Sequence, residues 1–315
     1  MSTEELGMKR FTLRAGVEQH LRTDALTTSG PVVAIVMQRE ALERAPLVGA
    51  PLLSSASEEL LSELEILDEY GDRRTIQVPV ERRLAVLMDD RELTTLWTIG
   101  ARPEWLVLGY LWNQQVISHV SALESIAVDW KSATAVVVSR RDDRAIDPGA
   151  TGIHVGHELG APCRGSTLLD ALSRRVCASR RIARSTLLSV IENVPKASSV
   201  YCTAGSVHSS ALFCGGELWL SVEDVSRRNT IDTVSGWMAL HGICGDDKIL
   251  YTTGRLTAEI IMKAACSGIP VIVSRKGVTG MCHELASRLG MTLFGHIAKN
   301  RYICYAGAER FDTLS

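Results

Sequence analysis

Apolar and polar positions along this chain change period several times, and each change predicts a different element. RRLAVLMDDRELTTLWTIG alternates about an Asp-Asp-Arg turn and reads as two strands of a hairpin. Pro103 then suits the first turn of a helix carrying Trp105, Leu108, Leu111 and Trp112 on an apolar face. TAVVVSR reads as a strand. From Arg140 to Gly165 the chain is rich in Gly, His and charge and apolar periodicity is lost; it returns with the helical STLLDALSRRV. From Ser199 onward, SVYCTA, KILYTT, IPVIVS and MTLFGH read as short strands. They alternate with the helical TIDTVSGWMALHG, LTAEIIMKAAC and VTGMCHELASRLG, and that alternation predicts an α/β layered sheet. The first seventy residues hold one apolar run, PVVAIVMQ, and an acidic segment, SEELLSELEILDEYGD. Leucines at helical spacing in that segment predict an amphipathic helix whose solvated face is Glu58, Glu59, Glu63 and Glu65.

Composition narrows the functional classes. At 315 residues, 46% hydrophobic and 22% charged, the chain has material for two modest cores. A net charge of -2 argues against bulk attraction to nucleic acid or an anionic membrane surface, so any phosphate site must be local. The N-terminal MSTEELGMKRF lacks the basic-then-apolar order of a signal peptide, and no apolar run is long enough to span a bilayer, so a cytoplasmic location is expected. The eight cysteines are scattered with no C-x-x-C pair, which points to neither a zinc site nor a disulfide frame.

Several residues carry candidate chemistry. Cys163 ends the irregular loop three positions before Ser166, a plausible N-cap. The helix dipole, Arg164 and His157 would then draw its thiol below the free value of about 8.5 and favour a nucleophilic thiolate. His208 follows a strand and a Gly205-Ser206 turn, where an imidazole can face a ligand or simply bond to the backbone. Gly254 and Arg255 stand at a strand-to-helix turn, where backbone N–H groups and a guanidinium can converge on an anion. Glu223 and Asp224 in isolation are acidic residues ahead of the helix that follows Ser226. Ser274, Arg275 and Lys276 form a basic turn after IPVIV, and His296 to Arg301 lie between two apolar segments as a polar hairpin turn.

The order of these blocks resembles one family. TAGSVHSSALF, VEDVSRRNTID and TTGRLTAEIIMKAACSGIPVIVSRKGVTG are similar to the TGGxH, EDVGRHNxxDK, SGRxSxE and SxSAPT blocks of the FdhD family, accessory sulfurtransferases of formate dehydrogenase. The likeness runs from about Arg74 to Phe311. It implies an N-terminal extension over 1–73, a small α/β domain over 74–165 ending in the Cys163 loop, and a cytidine-deaminase-like three-layer α/β domain over 166–315. It also implies a cytoplasmic homodimer in which Cys163 takes sulfur from a cysteine desulfurase. The sulfur would pass to a molybdenum or tungsten bis(molybdopterin guanine dinucleotide) cofactor destined for a formate dehydrogenase catalytic subunit. The residues implied to hold that cofactor are His296, Ile297, Ala298, Lys299, Asn300 and Arg301, with His208, Arg228 and Arg255.

Three departures stand out. The family's C-G-x-C becomes Cys163-Arg164-Gly165-Ser166, which closes a two-thiol relay and leaves a single-cysteine one open. Gly-Arg-His-Asn becomes Ser226-Arg227-Arg228-Asn229, replacing an imidazole by a permanent charge that cannot shuttle protons near neutral pH. Asp-Lys becomes Asp232-Thr233. A nucleobase deaminase is excluded by its motif: His208-Ser209-Ser210 lacks the Glu of H-x-E, and P-C-x-x-C is absent. A non-catalytic chaperone for the cofactor or a guanine nucleotide is the alternative expectation.

Overall fold

Strands from distant parts of the chain meet in one seven-stranded mixed sheet. The computed structural model describes residues 34–38, 41, 43–140, 165–177, 179–194, 199–299 and 301–314. In chain order the strands are β1 (Ile35–Met37), β2 (Leu52–Leu53), β3 (Leu61–Leu67), β4 (Arg73–Pro79), β5 (Arg82–Met88), β6 (Arg91–Thr98), β7 (Leu123–Asp129) and β8 (Thr134–Ser139). They continue as β9 (Ile182–Ala183), β10 (His208–Cys214), β11 (Glu217–Asp224), β12 (Lys248–Thr252), β13 (Val271–Ser274), β14 (Thr292–Ala298), β15 (Arg301–Ala306) and β16 (Phe311–Asp312). The helices are α1 (Pro103–Asn113), α2 (Gly165–Arg175), α3 (Arg184–Asn193), α4 (Val200–Ala204), α5 (Arg227–Leu240), α6 (Ala258–Cys266) and α7 (Gly280–Arg288).

The large sheet runs β1-β11-β10-β12-β13-β14-β15, with β12, β13 and β14 parallel and the remaining pairs antiparallel. The β12-α6-β13-α7-β14 run supplies the crossovers that parallel pairing requires. One face packs Leu212, Leu250, Ile272 and Leu293 against α2, α5, α6 and α7. The other packs Phe213, Tyr251, Val273 and Phe294 against Leu187 and Val190 of α3. A five-stranded sheet, β2-β7-β8-β5-β6, packs Leu84, Val86 and Ile126 against Val107, Leu108 and Leu111 of α1. The segment before Arg74 contributes to both sheets, β1 to the large one and β2 to the small one.

The hairpin, the Pro103 helix and the βαβαβ alternation appear as the sequence predicts. Asp89 and Asp90 both take left-handed backbone (φ 47 and 67), the twist a two-residue turn needs to close Met88 onto Arg91.

Two expectations are corrected. The acidic segment is not a helix: Leu61–Leu67 pairs antiparallel with Arg73–Pro79 as a ribbon. Its turn decides the matter, because the Asp68 carboxylate accepts the N–H groups of Tyr70 and Asp72, and Gly71 (φ 85) permits the reversal. SVYCTA is not a strand either, because Val200–Ala204 forms the short helix α4. The Glu223 carboxylate accepts from the N–H groups of Ser199, Val200 and Tyr201 at 3.3, 2.6 and 3.4 Å, a tertiary cap that overrides local β preference.

Candidate functional site

Pairing register brings most of the singled-out residues to one edge of the large sheet. His208 opens β10 opposite Asp224 at the end of β11, and Ser210 lies opposite Thr252 at the end of β12. Thr252 in turn pairs with Ser274 at the end of β13, and Val273 pairs with Phe294 just before His296. This edge is where the parallel strands end and where α5, α6 and α7 begin. Open α/β sheets bind ligands at that edge, because backbone N–H groups and helix dipoles point there. Ser226, Thr257 and Thr279 stand at the three N-cap positions, and none of them makes a side-chain cap bond.

A hydroxyl network supports the edge from below. Ser210 bonds to Thr230 (2.7 Å) and to Thr252 (3.2 Å), and Thr230 donates to the carbonyl of Arg227 (2.8 Å). Buried Ser274 donates to the Gly254 carbonyl (2.6 Å) and accepts from the Lys276 N–H (2.9 Å), so one hydroxyl locks two adjoining turns. Arg227 folds over Gly254, where a Cβ would come within 2.9 Å of Arg227 Cδ. Gly254 is thus the residue that lets the guanidinium stem lie across the turn. Burial and then Arg227 hold the His208 imidazole below its ordinary value, which keeps it neutral at physiological pH.

The hairpin between β14 and β15 continues the edge. The His296 N–H donates to the Lys276 carbonyl at 3.1 Å, and a Cβ on Gly277 would meet His296 Nε2 at 2.9 Å. His296 and Lys299 both take left-handed backbone (φ 50 and 49); His296 falls where the β14–β15 register shifts between Gly295 and Ala298, and Lys299 follows in the turn closed by the Ala298–Arg301 pair. His296 and Arg301 line an open cavity of about 500 Å³ together with Tyr302 and Ile303. Ala298 and Lys299 are exposed, whereas Ile297 is buried in the core beside Phe294 and does not face the cavity mouth as a polar contact would. Arg255 is exposed at the turn between β12 and α6, and Arg228 in the first turn of α5 donates from Nε to Glu259 Oε2 at 2.7 Å. Cys163 and Asn300 lie outside the described residues. Helix α2 starts at Gly165, one position ahead of the predicted cap at Ser166.

The EDVSRRNTID block proves to be mostly architectural. Asp224 accepts from Thr98 Oγ1 (2.5 Å), the Ser226 N–H (3.1 Å) and Asn229 Nδ2 (3.0 Å), while Asn229 also donates to the Trp97 carbonyl (2.6 Å). These bonds tie the end of β6 in the small sheet to the start of α5. Burial pushes the Asp224 carboxyl up to about 7 against the pull of those donors. Thr98, Asn113, Lys263 and Glu259 carried no signal in the sequence reading, because each matters through a partner far away in the chain. Among the described residues no group of three His, Cys, Asp or Glu side chains could hold a metal ion, and no helix is long and apolar enough to cross a membrane.

Three likenesses bear on this arrangement. A solved structure from Desulfotalea psychrophila, described as a formate dehydrogenase accessory protein, superposes with a TM-score of 0.62 at 23% identity, covering 80% of this chain and 98% of that one. It establishes the mixed α/β fold. "Sulfur carrier protein FdhD" of Thermoplasma volcanium is 26% identical over 262 residues, 78% of this chain and 94% of that protein. The protein of the same name from Bacillus subtilis is 25% identical over 246 residues, 78% of this chain and 92% of its own length. The sequence profile of the FdhD/NarQ family matches residues 79–312, a span that holds both sheets' central strands and the whole basic edge, and the chain belongs to that family.

Proposed function

We propose that this protein is a sulfur carrier that takes sulfur from a cysteine desulfurase onto Cys163 and passes it to a molybdenum or tungsten bis(molybdopterin guanine dinucleotide) cofactor. The recipient of the finished cofactor is a formate dehydrogenase catalytic subunit. Family membership and the relatives' names support the role. The observation that carries the binding half is the joining of His208, Arg227, Arg228, Arg255, Lys276, His296 and Arg301 along one sheet edge above three helix starts. Phosphate-bearing cargo suits such a place, because guanidinium forks and free N–H groups recognise phosphate oxygens directly. Lys299, with Ile297 and Ala298 as backbone ahead of it, completes the grip on a guanine dinucleotide arm, and Asn300, outside the described residues, joins it by the family resemblance. The chain acts as a cytoplasmic homodimer, and the helical layers on the two sheet faces follow the cytidine-deaminase-like plan.

The chemistry is a displacement at sulfur. The Cys163 thiolate attacks the terminal sulfur of the donor's cysteine persulfide; a new S–S bond forms, the donor's S–S bond breaks, and the donor cysteine leaves as thiolate. Cys163 then carries the terminal sulfur to the cargo; its release as a sulfide ligand would break the Cys163 S–S bond, with two electrons taken from a thiol reductant and Cys163 returned to thiolate. With Ser166 in place of the family's second thiol, a disulfide within the Cys163–Ser166 segment cannot form in competition with that persulfide.

The test is to incubate the protein with a cysteine desulfurase and cysteine and weigh it intact. One added sulfur on the wild type, absent from Cys163→Ala, is the expected result. Ser166 also favours a second reading, a cofactor-binding chaperone without sulfur transfer; wild type that gains no sulfur yet binds GDP would establish it instead.

A further inference from the structure

Two arginines, Arg227 and Arg228, occupy the first turn of α5, and no acidic side chain stands beside them in that turn. The positive pole of a helix disfavours cations, so helix stability does not account for the pair. Glu259, in the first turn of α6, accepts from Arg228 Nε at 2.7 Å and lies 3.5 Å from the buried Lys263 Nζ. Lys263 is itself paired with Asp232 at 2.7 Å. Glu259 is therefore fixed from both sides: its Oε1 faces a buried ammonium that cannot move, and its Oε2 holds Arg228. The exposures agree, 24% for the Glu259 side chain against 62% for Arg228. Because only Nε is engaged, Nη1 and Nη2 of Arg228 have no protein partner among the described residues.

We propose that Glu259 is the positioning residue for Arg228, and that the pair forms a clasp for a phosphate group whose charge stays constant across physiological pH. Two outer N–H groups of a guanidinium match two oxygens of a phosphate, and holding Nε fixes the plane in which they are presented. Its ionisable surroundings are His208, Asp224 and Arg227 on the strand and helix side, Arg255 at the adjoining turn, and Glu259, Lys263 and Asp232 from the two helices; Asp224, pushed up to about 7, acts alike on wild type and variants at each pH. An imidazole at position 228 would instead lose its charge as pH rises. This inference rests on the sheet edge being the cargo site.

The experiment uses GDP as the probe and titration calorimetry on the full chain at pH 6 and pH 8, each variant being compared with wild type at the same pH. Arg228→Ala is expected to weaken GDP roughly tenfold at both pH values, as the loss of a charge-assisted bidentate contact does. Arg228→His should stay close to wild type at pH 6 and fall to the level of Arg228→Ala at pH 8. Glu259→Gln should weaken binding about threefold to tenfold, and that effect should vanish in the Arg228→Ala background, which a merely structural glutamate would not show. Should Glu259→Gln fail to fold, the pH profile of Arg228→His decides alone. Unchanged affinity in Arg228→Ala, or a Glu259 effect that persists without Arg228, overturns the clasp while leaving the cargo site standing; wild type that binds no GDP overturns both.

Discussion

Lys263 Nζ lies 2.7 Å from Asp232 Oδ2, with 3% and 2% of the two side chains exposed. Asn113 Nδ2 donates to the other carboxylate oxygen at 2.7 Å, so the end of α1 joins the same buried cluster. Burial pushes the Asp232 carboxyl up, and Lys263 and Asn113 pull it back. Removing Lys263 leaves the buried Asp232 carboxylate with Asn113 alone, and removing Asp232 leaves the buried Lys263 ammonium with Glu259 alone at 3.5 Å. Lys263→Met or Asp232→Leu alone should therefore cost about 3–5 kcal/mol, and the double variant far less than their sum. Urea unfolding of all four proteins measures this; strictly additive losses would show that the pair is not coupled.

The closest approach of backbone to backbone supplies the next prediction. A Cβ on Gly109 of α1 would lie 1.7 Å from the Asp232 carbonyl oxygen, and one on Gly236 of α5 would lie 2.0 Å from that of Trp105. Both neighbours are main-chain atoms of packed helices, so neither can yield. Gly109→Ala and Gly236→Ala should each destabilise by several kcal/mol or prevent soluble expression, as overpacking in a rigid core does. Gly71, at the ribbon turn, has nothing within 4 Å of the same position and serves as the control. There Ala meets only the positive-φ penalty, on the order of 1 kcal/mol. Thermal unfolding ranks the three, and an equal loss at Gly71 and Gly109 would refute the packing account.

What the sequence made legible follows from how far each signal reaches. The hairpin at Asp89-Asp90, the Pro103 helix and the alternation after Lys248 are set by neighbours in the chain, and all three appear. The Ser57–Asp72 and Ser199–Ala204 segments depart from their local patterns because their conformations depend on groups outside the window. Asp68 closes the turn that makes the ribbon, and Glu223, more than twenty residues away, caps α4. For the candidate site, block order sufficed to collect His208, Arg228, Arg255 and the 296–301 hairpin, whose shared edge appears only once strand register is known. Ile297 shows the opposite limit, since its place in the block says nothing of the face it occupies, and that face is the core. Glu259 went unassigned because its importance lies in what it holds on a neighbouring helix.

Asp224 gives the pH dependence a sign. Its carboxyl sits near 7 in the folded protein against 3.8 for the free group, because burial outweighs the bonds from Thr98, Ser226 and Asn229. A group raised in the folded state favours folding fully below its unfolded value, and that contribution is lost as pH rises through the folded one. Between about pH 4 and 7 the unfolded chain ionises here while the folded chain resists, so stability drains away by up to about 4 kcal/mol from this residue. Asp224→Asn keeps the side chain's size and removes the titration. Wild type minus variant, measured by urea unfolding at successive pH values, should decline across that window and level off above it. A difference that stays flat from pH 4 to 8 would mean that the carboxylate remains ionised in the interior, with the three donors outweighing its burial.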